Sequence, residues 1–155
     1  GAWGASAIAL PFGELYTSLQ TGVVDGQENP LDTIQRMKFH EVQKHLVISE
    51  HGAMEDVALF NEAWWNSLPE NYREIIRDAF AEVVPALRAH KAQAVKAALE
   101  TISQGDIRVR VASDEEKAAL RNKIYEKAKA TYIDLAGDAG TALIEVYEKA
   151  YSELV

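Results

Sequence analysis

The sequence contains no cysteine, which removes disulfides, thiolate catalysis and cysteine-ligated zinc together. That absence alone does not choose between cytoplasm and periplasm. Basic charge is scarce as well: 16 Lys plus Arg stand against 24 Asp plus Glu, a formal net charge of -8. No basic stretch is long enough to neutralise a string of phosphates, so sequence-independent nucleic-acid binding and adhesion to anionic membranes are disfavoured. Nowhere do roughly 18 apolar residues follow one another as a transmembrane helix requires. Gly1 to Phe12 has neither an initiating Met nor the basic stretch of a signal peptide. Also missing are the Gly-x-Ser-x-Gly elbow of many hydrolases and any glycine-rich phosphate loop. What is present is enough for a core. Hydrophobic residues make up 48% and charged residues 26% of 155 residues, the composition of a globular domain or a large piece of one.

The first half of the chain alternates short apolar runs with short amphipathic stretches. Ala7–Leu10, closed by Pro11, reads as a buried strand. Phe12, Leu15, Tyr16 and Leu19 share one helical face, and Gly22 is a C-cap candidate. Val23 and Val24 suggest a second brief strand. Pro30 suits the first turn of a helix reaching about Lys44, because a helix start leaves that amide unpaired anyway. Leu46–Ser49 and Val57–Phe60 are further strand candidates.

The second half carries stronger signals. Ser67-Leu68-Pro69-Glu70 has the form of a capping box. Beyond it, apolar residues keep a helical period from Tyr72 to Ile102, and Gly105 ends the pattern. Pro85 falls in the middle, where a proline deletes one backbone bond and its ring crowds the carbonyl of Ala81. A single helix from about Glu70 to Gln104, kinked at Pro85, is predicted. Its length suits a helix that bridges two lobes. Ile107, Val109 and Val111 alternate with Arg108 and Arg110, the period of a half-buried strand whose charged face protects an edge. Ser113-Asp114-Glu115-Glu116 is a second capping box. It opens a helix with Leu120, Ile124, Ala128, Tyr132 and Leu135 on one face, which Gly137 stops, and a final helix ends the chain. No repeat or flexible linker divides the sequence, and the pattern as a whole is α/β.

Chemistry-bearing clusters are few. Asp25 and Glu28 are close enough for acid and base work, but two acids beside a turn are usually solvated caps. His40, His45, His51 and His90 lack the i, i+4 spacing of helix-borne metal ligands, so neither a metal nor a cofactor is expected. A hydrolase and a small helical interaction or dimerisation module stand as the alternatives to the reading that follows.

Thr21-Gly22-Val23-Val24-Asp25-Gly26-Gln27-Glu28-Asn29-Pro30 strongly resembles a motif of the DctP family. It is preceded by Pro11-Phe12-Gly13-Glu14-Leu15-Tyr16 and followed by Lys38-Phe39-His40-Glu41-Val42-Gln43-Lys44. Glu50-His51-Gly52 and Trp64-Trp65-Asn66-Ser67-Leu68-Pro69 keep the family spacing, so the resemblance covers essentially the whole chain. These are periplasmic solute-binding proteins of tripartite ATP-independent (TRAP) transporters, which capture organic acids. The resemblance implies a bilobal periplasmic-binding-protein fold with a ligand cleft and a long helix spanning both lobes. The aligned segment, 1–155, is the C-terminal half, containing parts of both lobes. It further implies a non-catalytic periplasmic receptor for a carboxylate that works with TRAP membrane subunits. The arginine that clamps the carboxylate would belong to the half upstream of Gly1.

Three positions carry over as ligand-binding candidates. Asn29 matches an Asn that hydrogen-bonds the ligand or its arginine, and its amide offers two donors and an acceptor without adding charge. The alternative is that it caps the helix after Pro30. Phe12 matches an aromatic packing on the ligand skeleton, or else belongs to the core. His51 sits where relatives often have an Asn-His pair facing the cleft. Glu50 replaces that Asn, and an acid there would repel a second ligand carboxylate unless protonated or turned away. Without its other half the chain would expose apolar faces and self-associate.

Overall fold

Gly22 closes α1 (Leu15–Thr21) in the left-handed conformation that a residue without Cβ adopts cheaply, φ 75° and ψ 20°. The computed structural model describes residues 3–52, 54 and 56–154. A 3-10 turn, Phe12–Glu14, leads into α1 after Pro11. Beyond Gly22 the amides of Val23 and Val24 both turn back to the carbonyl of Ser18, at 2.9 and 3.3 Å. Those bonds spend the donors that a strand would need, and the strand expected at Val23–Val24 does not form.

Pro30 is the N-cap of α2 (Leu31–Arg36), so that helix starts where the sequence places it. It ends much sooner than expected. Lys38 is left-handed (φ 61°), and a 3-10 turn over Phe39–Glu41 follows. The reversal carries the Phe39 ring into the core, where it is fully buried, and that burial offsets the backbone cost.

β1 (His45–Ile48) and β2 (Arg108–Val111) make a two-stranded sheet. Ala7–Leu10 and Val57–Phe60 are irregular instead. Both have strand composition, but a strand persists only where its backbone groups are paired, and among the described residues neither has a ladder partner.

Asn61 caps α3 (Glu62–Ser67), its side chain accepting from the Trp64 amide at 3.0 Å. The predicted long helix is α4 (Glu70–Ser103), 34 residues that run through Pro85 without interruption. At 1.5 Å per residue it is about 51 Å long. The capping box at its start does not form. Pro69 is the N-cap, and the Ser67 hydroxyl donates back to the Trp64 carbonyl at 2.7 Å, closing α3 instead.

The described residues divide into two units, one of 3–9, 49–51 and 111–154, the other of 10–48, 52, 54 and 56–110. The core of the second is Leu19, Ile34, Phe39, Ile102 and Ile107, formed where α2 packs on the last turns of α4. Lys91 on α4 grips both carboxylate oxygens of Asp32 on α2 at 2.6 Å. Burial raises the Asp32 pKa, but the hydrogen bond and charge of Lys91 outweigh it, and the carboxyl lies below its ordinary value.

The first unit is built on α5 (Asp114–Leu154), which opens with a completed capping box. The Ser113 amide donates to Glu116 at 2.9 Å and the Glu116 amide to the Ser113 hydroxyl at 3.2 Å. Gly137 breaks the helix at φ 59° and ψ −140°. The two arms fold against each other as a hairpin: Arg121 donates to the Tyr147 hydroxyl at 3.0 Å, and Tyr125 and Lys129 donate to Glu148 at 3.0 and 2.7 Å. Gly140 is buried beside the turn, where a Cβ would come 2.8 Å from that of Ala136.

Candidate functional site

Asn29 precedes α2 without capping it, since the N-cap Pro30 has no side-chain bond and the Asn29 amide is used elsewhere. Its Nδ2 donates to Oε1 of Gln27 at 2.7 Å, and Nε2 of Gln27 donates to Oε1 of Gln43 at 3.3 Å. All three side chains are half-buried. The capping alternative therefore falls, and the amide of Asn29 is held in a network of neutral groups.

Phe12 opens the 3-10 turn ahead of α1. It is 48% exposed, which removes it from the core proper, and its ring stands edge-to-face on buried Phe39 with centroids 5.9 Å apart. Such a pair fixes the orientation of the outer ring while leaving part of it exposed.

His51 belongs to the other unit. Its Nδ1 lies 2.6 Å from the Ser49 hydroxyl, and the Trp3 ring meets it edge-on at 4.9 Å. Trp3 is in turn anchored by its indole N–H on the Leu120 carbonyl, at 3.4 Å. Between Ser49 and His51, Glu50 takes a left-handed conformation (φ 48°) and its carboxylate meets the Lys117 ammonium at 2.5 Å. That hydrogen bond raises the Lys117 pKa above its ordinary value. The exposed Glu50 carboxylate is thus paired with a cation of its own unit.

Asp25 and Glu28 are both exposed. Among the described residues no three His, Asp or Glu side chains converge as a metal site would require. No helix among them is long and apolar enough to cross a membrane. Sequence reasoning missed Gln27 and Gln43, whose link joins residues 16 apart, and Trp3, whose contact with Leu120 spans 117.

An α/β chain with a small sheet, a helix of 34 residues, and a neutral amide and a half-open aromatic ring set out on short turns has the fold class of the periplasmic binding proteins. The chain belongs to the DctP family, bacterial extracellular solute-binding protein family 7, whose model matches residues 1–134. It is similar to a TRAP periplasmic solute-binding protein from Desulfovibrio salexigens solved with bound orotic acid. The identity is 60% and the TM-score 0.90, over 99% of this chain and 50% of that one. It is 44% identical over 80 residues to the sialic acid-binding periplasmic protein SiaP of Vibrio cholerae, a match covering 52% of this chain and 25% of that protein. It is 28% identical to the ectoine-binding periplasmic protein TeaA of Halomonas elongata, over 95% of this chain and 43% of that one. The chain thus spans half or less of the length of each of these proteins.

Proposed function

We propose that the chain is the C-terminal portion of a periplasmic receptor that captures a small organic acid and delivers it to TRAP membrane subunits, without catalysis. The observation that carries this reading is the 60% identity, across nearly the whole chain, to a TRAP receptor solved with orotic acid. A ring carboxylate of that kind is the proposed ligand class. Asn29 supplies hydrogen bonds without charge, Phe12 an aromatic surface, and His51 a polar group. A chain of net charge -8 does not attract anions by its overall field, so affinity must rest on local donors and on a cation contributed by the rest of the protein.

Titration calorimetry on the full-length protein, with orotate, succinate, sialic acid and ectoine, tests the reading. Saturable binding of an acid that is weakened by Asn29→Ala supports it. Turnover of any of these probes, or affinity for none of them, overturns it.

A further inference from the structure

α5 leaves helical backbone angles at Gly137 and is helical on both sides of it, so its reversal is made by a single residue and not by a loop. The pairs that close it are Arg121 with Tyr147 and Tyr151, and Tyr125 and Lys129 with Glu148. In each pair the two members lie at similar distances along the chain before and after Gly137. This is the pattern of two antiparallel helices centred on the glycine. A two-fold axis at that centre would make the same pairs between two copies, since in such an interface residue i of one copy meets j of the other and j meets i.

Gly140 ties the bend to the closed form for a second reason. In the hairpin a Cβ at 140 would stand 2.8 Å from that of Ala136. In a continuous helix, residues four apart hold their Cβ atoms about 5 to 6 Å apart, so the clash belongs to the bend and vanishes when α5 is straight.

We propose that the face each arm of α5 presents to the other is also an interface between two copies of this protein: α5 straightens at Gly137, and the second arm of each protomer, 138–154, lies on the first arm of its partner. The occupant of the opened first arm is a second copy because the second arm carries the groups that match it, the phenol of Tyr147 for Arg121 and the carboxylate of Glu148 for Tyr125 and Lys129. Every closing contact is remade, and the exchange is decided at the hinge. In the wild type the closed form wins at ordinary concentration. The tethered arm is present at an effective concentration in the millimolar range, and glycine is cheap in the bend and costly in a helix.

Alanine reverses the last preference. Gly137→Ala penalises the bend and favours the helix, and Gly140→Ala penalises the bend through its methyl. Each should favour opening by about ten-fold per chain, and so raise the dimerisation constant about a hundred-fold, because two hinges straighten in each dimer.

The test uses the full-length protein, with light scattering for mass and a charge exchange for the interface. Wild type is expected to be a monomer at about 10 to 100 μM, where both alanine variants form dimers. Lys129→Glu sets like charges against Glu148 within one chain, and Glu148→Lys does the same against Lys129. When these two variants are refolded together from urea in the Gly137→Ala background, one of them tagged, exchanged arms restore both ion pairs. Mixed dimers should then exceed the half expected by chance. If Gly137→Ala does not fold, Gly140→Ala carries both readings, and if neither folds, wild type refolded at about 1 mM carries them.

Dimers without a preference for mixed pairing would show association through another surface and overturn the proposal. So would folded alanine variants that stay monomeric at about 100 μM, or, where neither variant folds, wild type that yields no dimer at about 1 mM.

Discussion

The guanidinium carbon of Arg121 stands 3.9 Å from the centre of the Tyr151 ring, joining the beginning of α5 to its last turns. Tyr125, one turn further along the first arm, presents its ring to the same cation at 4.1 Å, and Tyr147 accepts one of its N–H groups. The cation and three rings therefore hold the hairpin shut. Replacing Arg121 with Leu keeps the bulk and removes the cation, and should lower the stability of the second arm by about 1 to 2 kcal/mol. Hydrogen exchange resolved along α5 checks this, with faster exchange expected from 138 to 154 and little change in the first arm.

The hairpin should also loosen in acid. Hydrogen bonds from Lys129 first, and Tyr125 second, lower the Glu148 pKa below its ordinary 4.5. A carboxyl depressed in the folded state contributes stability that is complete above 4.5 and is lost as pH falls through the lower folded value. Protection of the second arm should decline in that acidic window and not at neutral pH. Glu148→Gln should remove this decline in protection, measured against the intrinsic exchange rate at each pH.

Two glycines of the turn should resist substitution for different reasons. Gly137→Ala places a Cβ on backbone at φ 59° and ψ −140°, a region almost confined to glycine, and should cost about 1 to 3 kcal/mol. Gly140→Ala drives a methyl within 2.8 Å of the Ala136 Cβ and should cost about 1 to 3 kcal/mol through overpacking. Chemical denaturation of each variant measures both.

Pro85→Ala should stabilise α4, because it restores an amide donor for the Ala81 carbonyl and removes the ring that crowds it. A gain of about 1 to 3 kcal/mol is expected in urea denaturation. If ligand affinity of the full-length protein falls despite that gain, the proline serves the geometry of binding rather than the stability of the helix.

The chain on its own should not remain a monomer. Leu59, Leu135 and Leu154 are each more than four-fifths exposed, and Ile75 and Val83 lie open on α4. Light scattering on the isolated 155-residue chain is expected to give a mass above 17.1 kDa. Adding the remainder of the full-length protein as a separate polypeptide should reduce it toward a defined complex.

Local signals were the legible part of the fold. The Gly22 cap, the Pro30 start, the Ser113–Glu116 box and the Gly137 break each depend on residues within one turn of one another, and each appears in the structure as expected. The Ser67 box has the same letters and fails, because its hydroxyl closes the preceding helix and Pro69 starts the next. Ala7–Leu10 and Val57–Phe60 illustrate a different limit: an apolar run specifies a strand only together with a partner, which a period cannot supply. Of the candidate site, the motif around Asn29 singled out the residue but not what holds it. The Gln27–Gln43 bond depends on where a 3-10 turn puts Gln43, and that follows from the burial of Phe39 rather than from any pattern near Asn29.

The uninterrupted length of α4 makes it intolerant of a kind of change that its exposed surface would otherwise accept. Each residue of an α-helix advances the chain by about 100° around the axis, so one inserted or deleted residue turns everything beyond it by that angle. Substitutions along the bare middle of α4 leave Ala98 and Ile102 facing α2 and the core. A single-residue insertion near Pro85 rotates both away from it. Between 70 and 97, natural variation should therefore change residues more readily than it changes their number.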